Sequence, residues 1–334
     1  MVKLNYGTDK ERKALADEYV KIFPDFVRME SDWKVLRSDI IAVVPGLAAV
    51  LSVGLDEFLK EPYERLVDVY EMYVANVSDI NQDLKNRARL MFSYDRFVYN
   101  GHEGKKQSAR IARFFMNHAK DMQIYTCHYC DMAYINAYPT GPRTKKNNHF
   151  DLDHVLDKGS CPILALSFFN LIPVCPVCNG RIKSTKQVGT TTAERKLLSP
   201  TNPKYDFENN VTIWVDHQGG KCSTFGFEKR MNEYELKFDV HKAPIYEKEI
   251  KFFRLEPRYN FHKCEALRLM DLKERYSDSR IVEMARLIMG DDNSRGKGSA
   301  ADVVIEQIKK DIFADDFINN YHRAFGKLHR DIMK

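Results

Sequence analysis

Two Cys-x-x-Cys pairs, Cys127/Cys130 and Cys175/Cys178, bracket 44 residues of this chain. Each pair has zinc-knuckle spacing, and together they offer four thiolates, enough to close a tetrahedral site. A metal shared by both pairs pins the two ends of the intervening segment. Everything from 131 to 174 must then fold as an insert with fixed ends. The chain has seven cysteines, an odd number, and in a reducing compartment this spacing points to metal rather than disulfides. Cys161, Cys222 and Cys264 read as ordinary semi-buried thiols. A closed four-cysteine site leaves no coordination position for water, so zinc held there builds structure and offers no catalysis by itself.

Charge is unevenly spread. The net charge is only +5, but residues 105–196 carry 14 Lys/Arg against 6 Asp/Glu, while residues 1–104 carry 14 against 18. The excess positive charge surrounds the cysteine pairs, as a polyanionic partner would favour. The opening MVKLNYGTDKER has no signal-peptide pattern, and the expected location is cytoplasmic. The apolar run Ile40 to Leu55 is too short for a membrane span and is broken by Pro45-Gly46, so no membrane association is expected.

Apolar spacing divides the chain into three expected domains of an α+β protein. Residues 1–120 read as helical, with helices over Lys10–Ile22, Leu55–Val74, Ile80–Phe97 and Arg110–Met122. Pro62 is expected to split or kink the second, and Ser78 and Asp79 to cap the third. Residues 121–200 hold the cysteines. Residues 201–334 mix strands at Val211–Val215, Cys222–Phe227 and Tyr234–Phe238 with helices over Tyr259–Met289 and Ala301–Asp331. Gly290 to Ser299 is polar and glycine-rich, a loop or hinge by composition.

Inside the insert lies Phe150-Asp151-Leu152-Asp153-His154-Val155. Its alternation predicts a short strand with Asp151 and Asp153 on one face. Asn170-Leu171-Ile172-Pro173-Val174 reads as a second extended piece. Cys178-Asn179-Gly180-Arg181-Ile182-Lys183 reads as the start of a helix.

The combination DLDH, then NLIPVCPVCNGRIK, flanked by the cysteine pairs, resembles the HNH endonucleases with their ββα-metal core. The resemblance covers residues 127–183 of the 334. It implies His154 as general base, Asp153 and Asn179 as ligands of a divalent ion, and Asn170 as the residue that orients the base. The third family position is Asn here instead of His. An Asp with an Asn is an all-oxygen set, which favours Mg²⁺ or Mn²⁺. Arg181, Lys183, Lys145 and Lys146 are candidates for phosphate contacts, with the helix N-terminus assisting. Asp151 is open between supporting the site and lining a solvated strand face.

The implied activity is metal-dependent hydrolysis of DNA, in restriction, another antiphage defence or mobile-element biology. A double-strand break would need two sites, as a homodimer supplies. No G-x-x-x-x-G-K-[ST] occurs, so any ATP dependence would come from a partner protein. The competing expectation is a non-catalytic zinc-ribbon module that binds nucleic acid or acts as an adaptor. The feature that separates the two is the set Asp153, His154 and Asn179, which a pure binding module does not need.

Overall fold

The computed structural model describes residues 1–100, 103–139, 146–217, 232–289, 300–313 and 323–333. These form two compact units, one of Met1–Phe207 with Ala243–Phe253 and one of Glu208–Lys242 with Arg254–Lys334. The class is α+β, mainly helices with small antiparallel two-stranded sheets. Among the described residues no helix is long and apolar enough to cross a membrane.

In the first unit, a capping box between Thr8 and Glu11 starts the helix Asp9–Val20. The helix Phe26–Val43 presents Met29, Trp33, Leu36 and Ile40 to the interior at helical spacing. Trp33 stacks on Phe58 with centroids 4.6 Å apart and meets Phe92 edge-on at 5.6 Å. After that helix, Pro45–Leu47 is a single 3₁₀ turn leading into the short helix Ala48–Leu51.

Pro62 divides the expected helix over 55–74. Leu55–Leu59 stops before it and Tyr63–Ala75 starts after it, with Pro62 extended at the N-cap. Its ring and missing N–H cannot sit in a helix interior. The next helix runs only Gln82–Met91, and its cap is Asn81, whose Oδ1 accepts from Leu84 N at 2.9 Å. Ser78 and Asp79 bond to each other instead. Beyond Met91 the chain turns into a hairpin of β1 (Phe97–Asn100) and β2 (Glu103–Lys106). Helical reading missed it because a short apolar run such as Phe97-Val98-Tyr99 suits either periodicity. The helix expected over 110–122 occupies Gln107–Asn117.

Two further ladders follow. β3 (Ala137–Pro139) pairs with β4 (Lys146–Asn148), and β5 (Asp151–His154) pairs with β6 (Leu171–Val174). Between β5 and β6, residues 161–170 are buried throughout. Phe168 and Phe169 join Tyr6, Tyr19 and Phe114 in one aromatic cluster. Tyr19 also donates to Leu166 O at 2.9 Å, tying the first helix to this segment. Beyond the second cysteine pair, ion pairs Lys196–Asp68 and Lys204–Glu64 fasten the residues around 192–204 to the Tyr63–Ala75 helix.

The second unit is built on β7 (Val211–His217) and β8 (Tyr234–Val240), paired antiparallel. The strands expected at 211–215 and 234–238 lie within them. The one expected at Cys222–Phe227, and the loop at 290–299, lie outside the described residues. Helical patterning over 259–289 resolves into Leu255–Phe261, Cys264–Arg275 and Asp278–Met289. Ile281 and Ala285 of the last pack with Ile308 and Phe313 of Ala300–Phe313. The Asn260 side chain bonds both Leu236 N and Leu236 O, at 2.7 and 2.8 Å, satisfying an edge of β8.

The helix Gly326–Met333 carries an ion pair, Lys327–Asp331, with both side chains fully buried at 2.7 Å. Asp331 also accepts from Ile213 N at 2.8 Å, and Lys327 donates to Glu208 O at 3.0 Å. Removing one partner strands a buried charge. Asp331→Ala is expected to destabilise this unit by about 3–5 kcal/mol. The double change Lys327→Met with Asp331→Leu should recover most of the loss. Urea unfolding of the three proteins measures both effects.

Candidate functional site

Cys127, Cys130, Cys175 and Cys178 are all buried, and their sulfur atoms lie within 4.8 Å of one another. Thiolates packed this closely repel unless a cation lies among them. A tetrahedral zinc with Zn–S bonds of about 2.3 Å separates its sulfurs by about 3.8 Å, so the cluster can hold a metal such as zinc. Backbone N–H groups point at the sulfurs: Cys175 N lies 3.3 Å from Cys127 Sγ and Cys178 N 3.5 Å from Cys175 Sγ. His128, between the first two cysteines, is buried. Its Nδ1 lies 2.9 Å from Val2 O, while Val2 N donates back to His128 O at 3.1 Å. The segment around Val2 thus clamps the first knuckle.

The register of β5 and β6 sets the rest of the site. His154 lies opposite Leu171, and Asp151 lies opposite Val174, one residue before Cys175. The cysteine cluster therefore lies at the Asp151 end of the ladder. Asn170 fixes the other end. Fully buried, it accepts from Leu156 N at 2.7 Å and donates to Leu156 O and Leu164 O, both at 3.1 Å. One carboxamide thus ties the two ends of the connecting segment together.

That segment presents Ala165 O to His154 Nε2 at 2.9 Å. A carbonyl can only accept, so Nε2 carries the ring hydrogen and Nδ1 keeps its lone pair. Tyr94 packs edge-on against the imidazole at 4.9 Å, and Lys158 sits over the Tyr94 ring. His154 is only 7% exposed. Burial, followed by the charge of Lys158, pushes its pKa down to about 3, so the ring is neutral at ordinary pH.

The two aspartates of β5 have different partners. Asp153 is buried, accepting from Tyr129 Oη at 2.7 Å and from Lys183 Nζ at 3.1 and 3.2 Å. Burial raises its pKa, and the Lys183 ammonium works against that rise. Lys183 also donates to His154 O at 2.8 Å. Asn179 instead donates to Asp151 Oδ2 at 3.1 Å. The hydrogen bond of the Asn179 side chain thus goes to Asp151, and those of Asp153 go to Tyr129 and Lys183. Lys183, expected to face phosphate, is 1% exposed and turned inward.

Helix geometry explains the inward turn. Val177–Lys183 is wound as a π-helix, with Ser184 N bonded to Asn179 O at 2.7 Å. Its wider turn points Lys183 at the β5 end and leaves Arg181 exposed. Lys146 lies in β4, while Lys145 lies outside the described residues. Sequence reasoning missed Tyr94, Tyr129 and the Ala165 carbonyl. Tyr129 stands within the first knuckle but nothing in its type marks it. Tyr94 is far from His154 in sequence, and a backbone carbonyl leaves no trace in sequence.

For an oxygen-loving divalent ion, Asp151, Asp153 and Asn179 would offer hard oxygens, and Lys183 stands against Asp153. No protein-family model, curated protein or solved structure matches this chain.

Cys175→Ser is expected to abolish stoichiometric zinc binding and unfold the first unit, because structural zinc contributes about 10–16 kcal/mol in small sites. Metal analysis beside circular dichroism checks this. His154 yields a pH prediction. Between about pH 6.5 and 3 the unfolded chain binds a proton that the folded chain excludes, so stability falls as pH drops through that window. Denaturation midpoints should fall less steeply in His154→Gln than in the unmodified protein.

Proposed function

We propose that the chain is a metal-dependent endonuclease of the HNH type that hydrolyses DNA phosphodiester bonds. The observation that carries this reading is the orientation of His154. With Nε2 committed to Ala165 O at 2.9 Å, its Nδ1 lone pair is the acceptor, as a general base requires. The strand pair and helix around it follow the order of the ββα-metal core, and the cysteine cluster pins them at one end.

In this reading His154 Nδ1 takes a proton from water as the water oxygen attacks phosphorus. The bond to the 3′-oxygen breaks and that oxygen leaves. A divalent ion, when bound, supplies positive charge to the phosphate and the leaving oxygen. Asn170 holds the segment that carries Ala165, so it sets the imidazole orientation through the backbone. Tyr94 keeps the ring from turning. Arg181, exposed on the helix, is placed to meet a neighbouring phosphate. The local excess of positive charge over 105–196 suits a polyanion. Restriction or antiphage defence is the setting we propose.

A second reading has one observation in its favour. The burial of His154 and its low pKa also suit a zinc-ribbon module that binds nucleic acid without cutting it. A supercoiled-plasmid assay in Mg²⁺, Mn²⁺ and EDTA separates the two. Metal-dependent nicking that falls at least about 100-fold in His154→Ala is expected, the usual contribution of a general base. Binding without cleavage in every metal would favour the module.

A further inference from the structure

We infer that the exposed aromatic face of the β3–β4 hairpin holds an unpaired DNA strand by base stacking. The inference rests on the nuclease reading for its choice of DNA, while the face itself is independent of that reading. Exposure alternates along the strand that enters the hairpin. Tyr134, Asn136 and Tyr138 are exposed, and Ile135 between the first two is buried. In extended chain that alternation puts the three side chains on one face. His149 N donates to Asn136 O at 2.8 Å, which sets His149 opposite Asn136 and continues the register of β3 with β4. Opposite residues of an antiparallel pair share a face. His149, also exposed, therefore joins the two tyrosines.

Single exposed rings are ordinary, but a row of them on one face marks an interaction surface. Tyr134 is 58% exposed and Tyr138 36%. Tyr138 and His149 brace each other, Oη lying 3.0 Å from Nε2 and the ring centroids 5.0 Å apart. A braced ring has little freedom left to lose when a partner stacks on it. Charge decides the partner. Residues 132–150 contain Arg143, Lys145 and Lys146 and no Asp or Glu. The helix Gln107–Asn117, which packs against β4, carries Arg110 and Arg113 and no carboxylate. Aromatic rings in positively charged surroundings match a nucleic acid, whose bases stack while its phosphates meet the cations. A duplex hides its base faces in its own stack, so ring stacking selects an unpaired strand. Only His149 and Phe150 separate β4 from β5. The stacking face and the proposed base His154 are thus carried by consecutive strands.

The test is fluorescence anisotropy on the zinc-loaded full chain, without Mg²⁺ or Mn²⁺, at physiological salt. The probes are a labelled single-stranded DNA of mixed sequence, its duplex and the matching RNA. The unmodified protein is expected to bind the DNA single strand at least about tenfold more tightly than the duplex. Tyr134→Ala and Tyr138→Ala should each weaken single-strand binding about tenfold, the usual contribution of one stacked base. Duplex binding, which depends on phosphate contacts, should stay within about threefold in both. Tyr138→Phe keeps the ring without its hydroxyl and should bind like the unmodified protein. Both tyrosines are exposed, so melting temperature and zinc content should hold in all three variants. A Tyr138→Phe as weak as Tyr138→Ala would overturn the inference, as would equal affinity for single strand and duplex. Tighter binding of RNA than of DNA would overturn it too. So would alanine variants that bind the single strand normally, including the case in which sedimentation shows that they only disperse a dimer of the chain. The plasmid assay keeps the two levels apart. Cleavage with single-strand binding indifferent to the tyrosines removes this inference and leaves the nuclease reading. Tyrosine-dependent binding of the single strand without cleavage keeps the face and removes the nuclease.

Discussion

Everything in the candidate site depends on closing the four cysteines around one point. Residues 131–174 are an excursion whose two ends must meet, and their own two-stranded sheets are marginal. The four buried cysteines meet in one cluster that could hold a metal and so close the excursion, and β5 pairs with β6 in the register that sets Asp151 opposite the residue before Cys175. The second closure is polar. The Asn170 carboxamide joins Leu156 and Leu164, and aromatic packing around Phe168 buries what lies between. Two dissimilar devices thus fix the two ends of one short ladder.

The polar groups at its centre divide by burial. His154, Asp153 and Lys183 lie inside, and each is matched: the imidazole to a carbonyl, the carboxylate to an ammonium and a phenol. Asp151, Asn179 and Arg181 lie toward solvent. A low-dielectric interior makes a matched network stiff and an unmatched charge costly. The inner group therefore suits holding a ring in place, and the outer group suits exchange with solvent. The His154 imidazole is held neutral and oriented there, with its basicity reduced by burial.

Reading the chain from its sequence worked where a short pattern has one structural solution. Cys-x-x-Cys twice, with an insert between, leads to one cluster. Phe150 and Leu152 alternating with Asp151 and Asp153 gives a strand, and Pro62 divides a helix because its ring and missing N–H permit nothing else. It failed where two periods fit equally well, as at Phe97-Val98-Tyr99, or where several polar residues compete to cap one helix, as Ser78, Asp79 and Asn81 did. It also failed at Lys183. Spacing on an ordinary α-helix turns that side chain outward, whereas the π-turn brings it to Asp153.

The sequence by itself determined the clustering cysteines, the two extended pieces, the helix after the second cysteine pair and the kinds of side chain near them. Those features are local, set by residue type and spacing within a few positions. Only the tertiary structure decided which aspartate meets Asn179 and which meets Lys183, that Ala165 offers its carbonyl to His154, and that Tyr94 packs on the imidazole. These contacts depend on where a buried connection and a turn distant in sequence come to rest. That is set by the filling of a shared core, which no single stretch of sequence encodes.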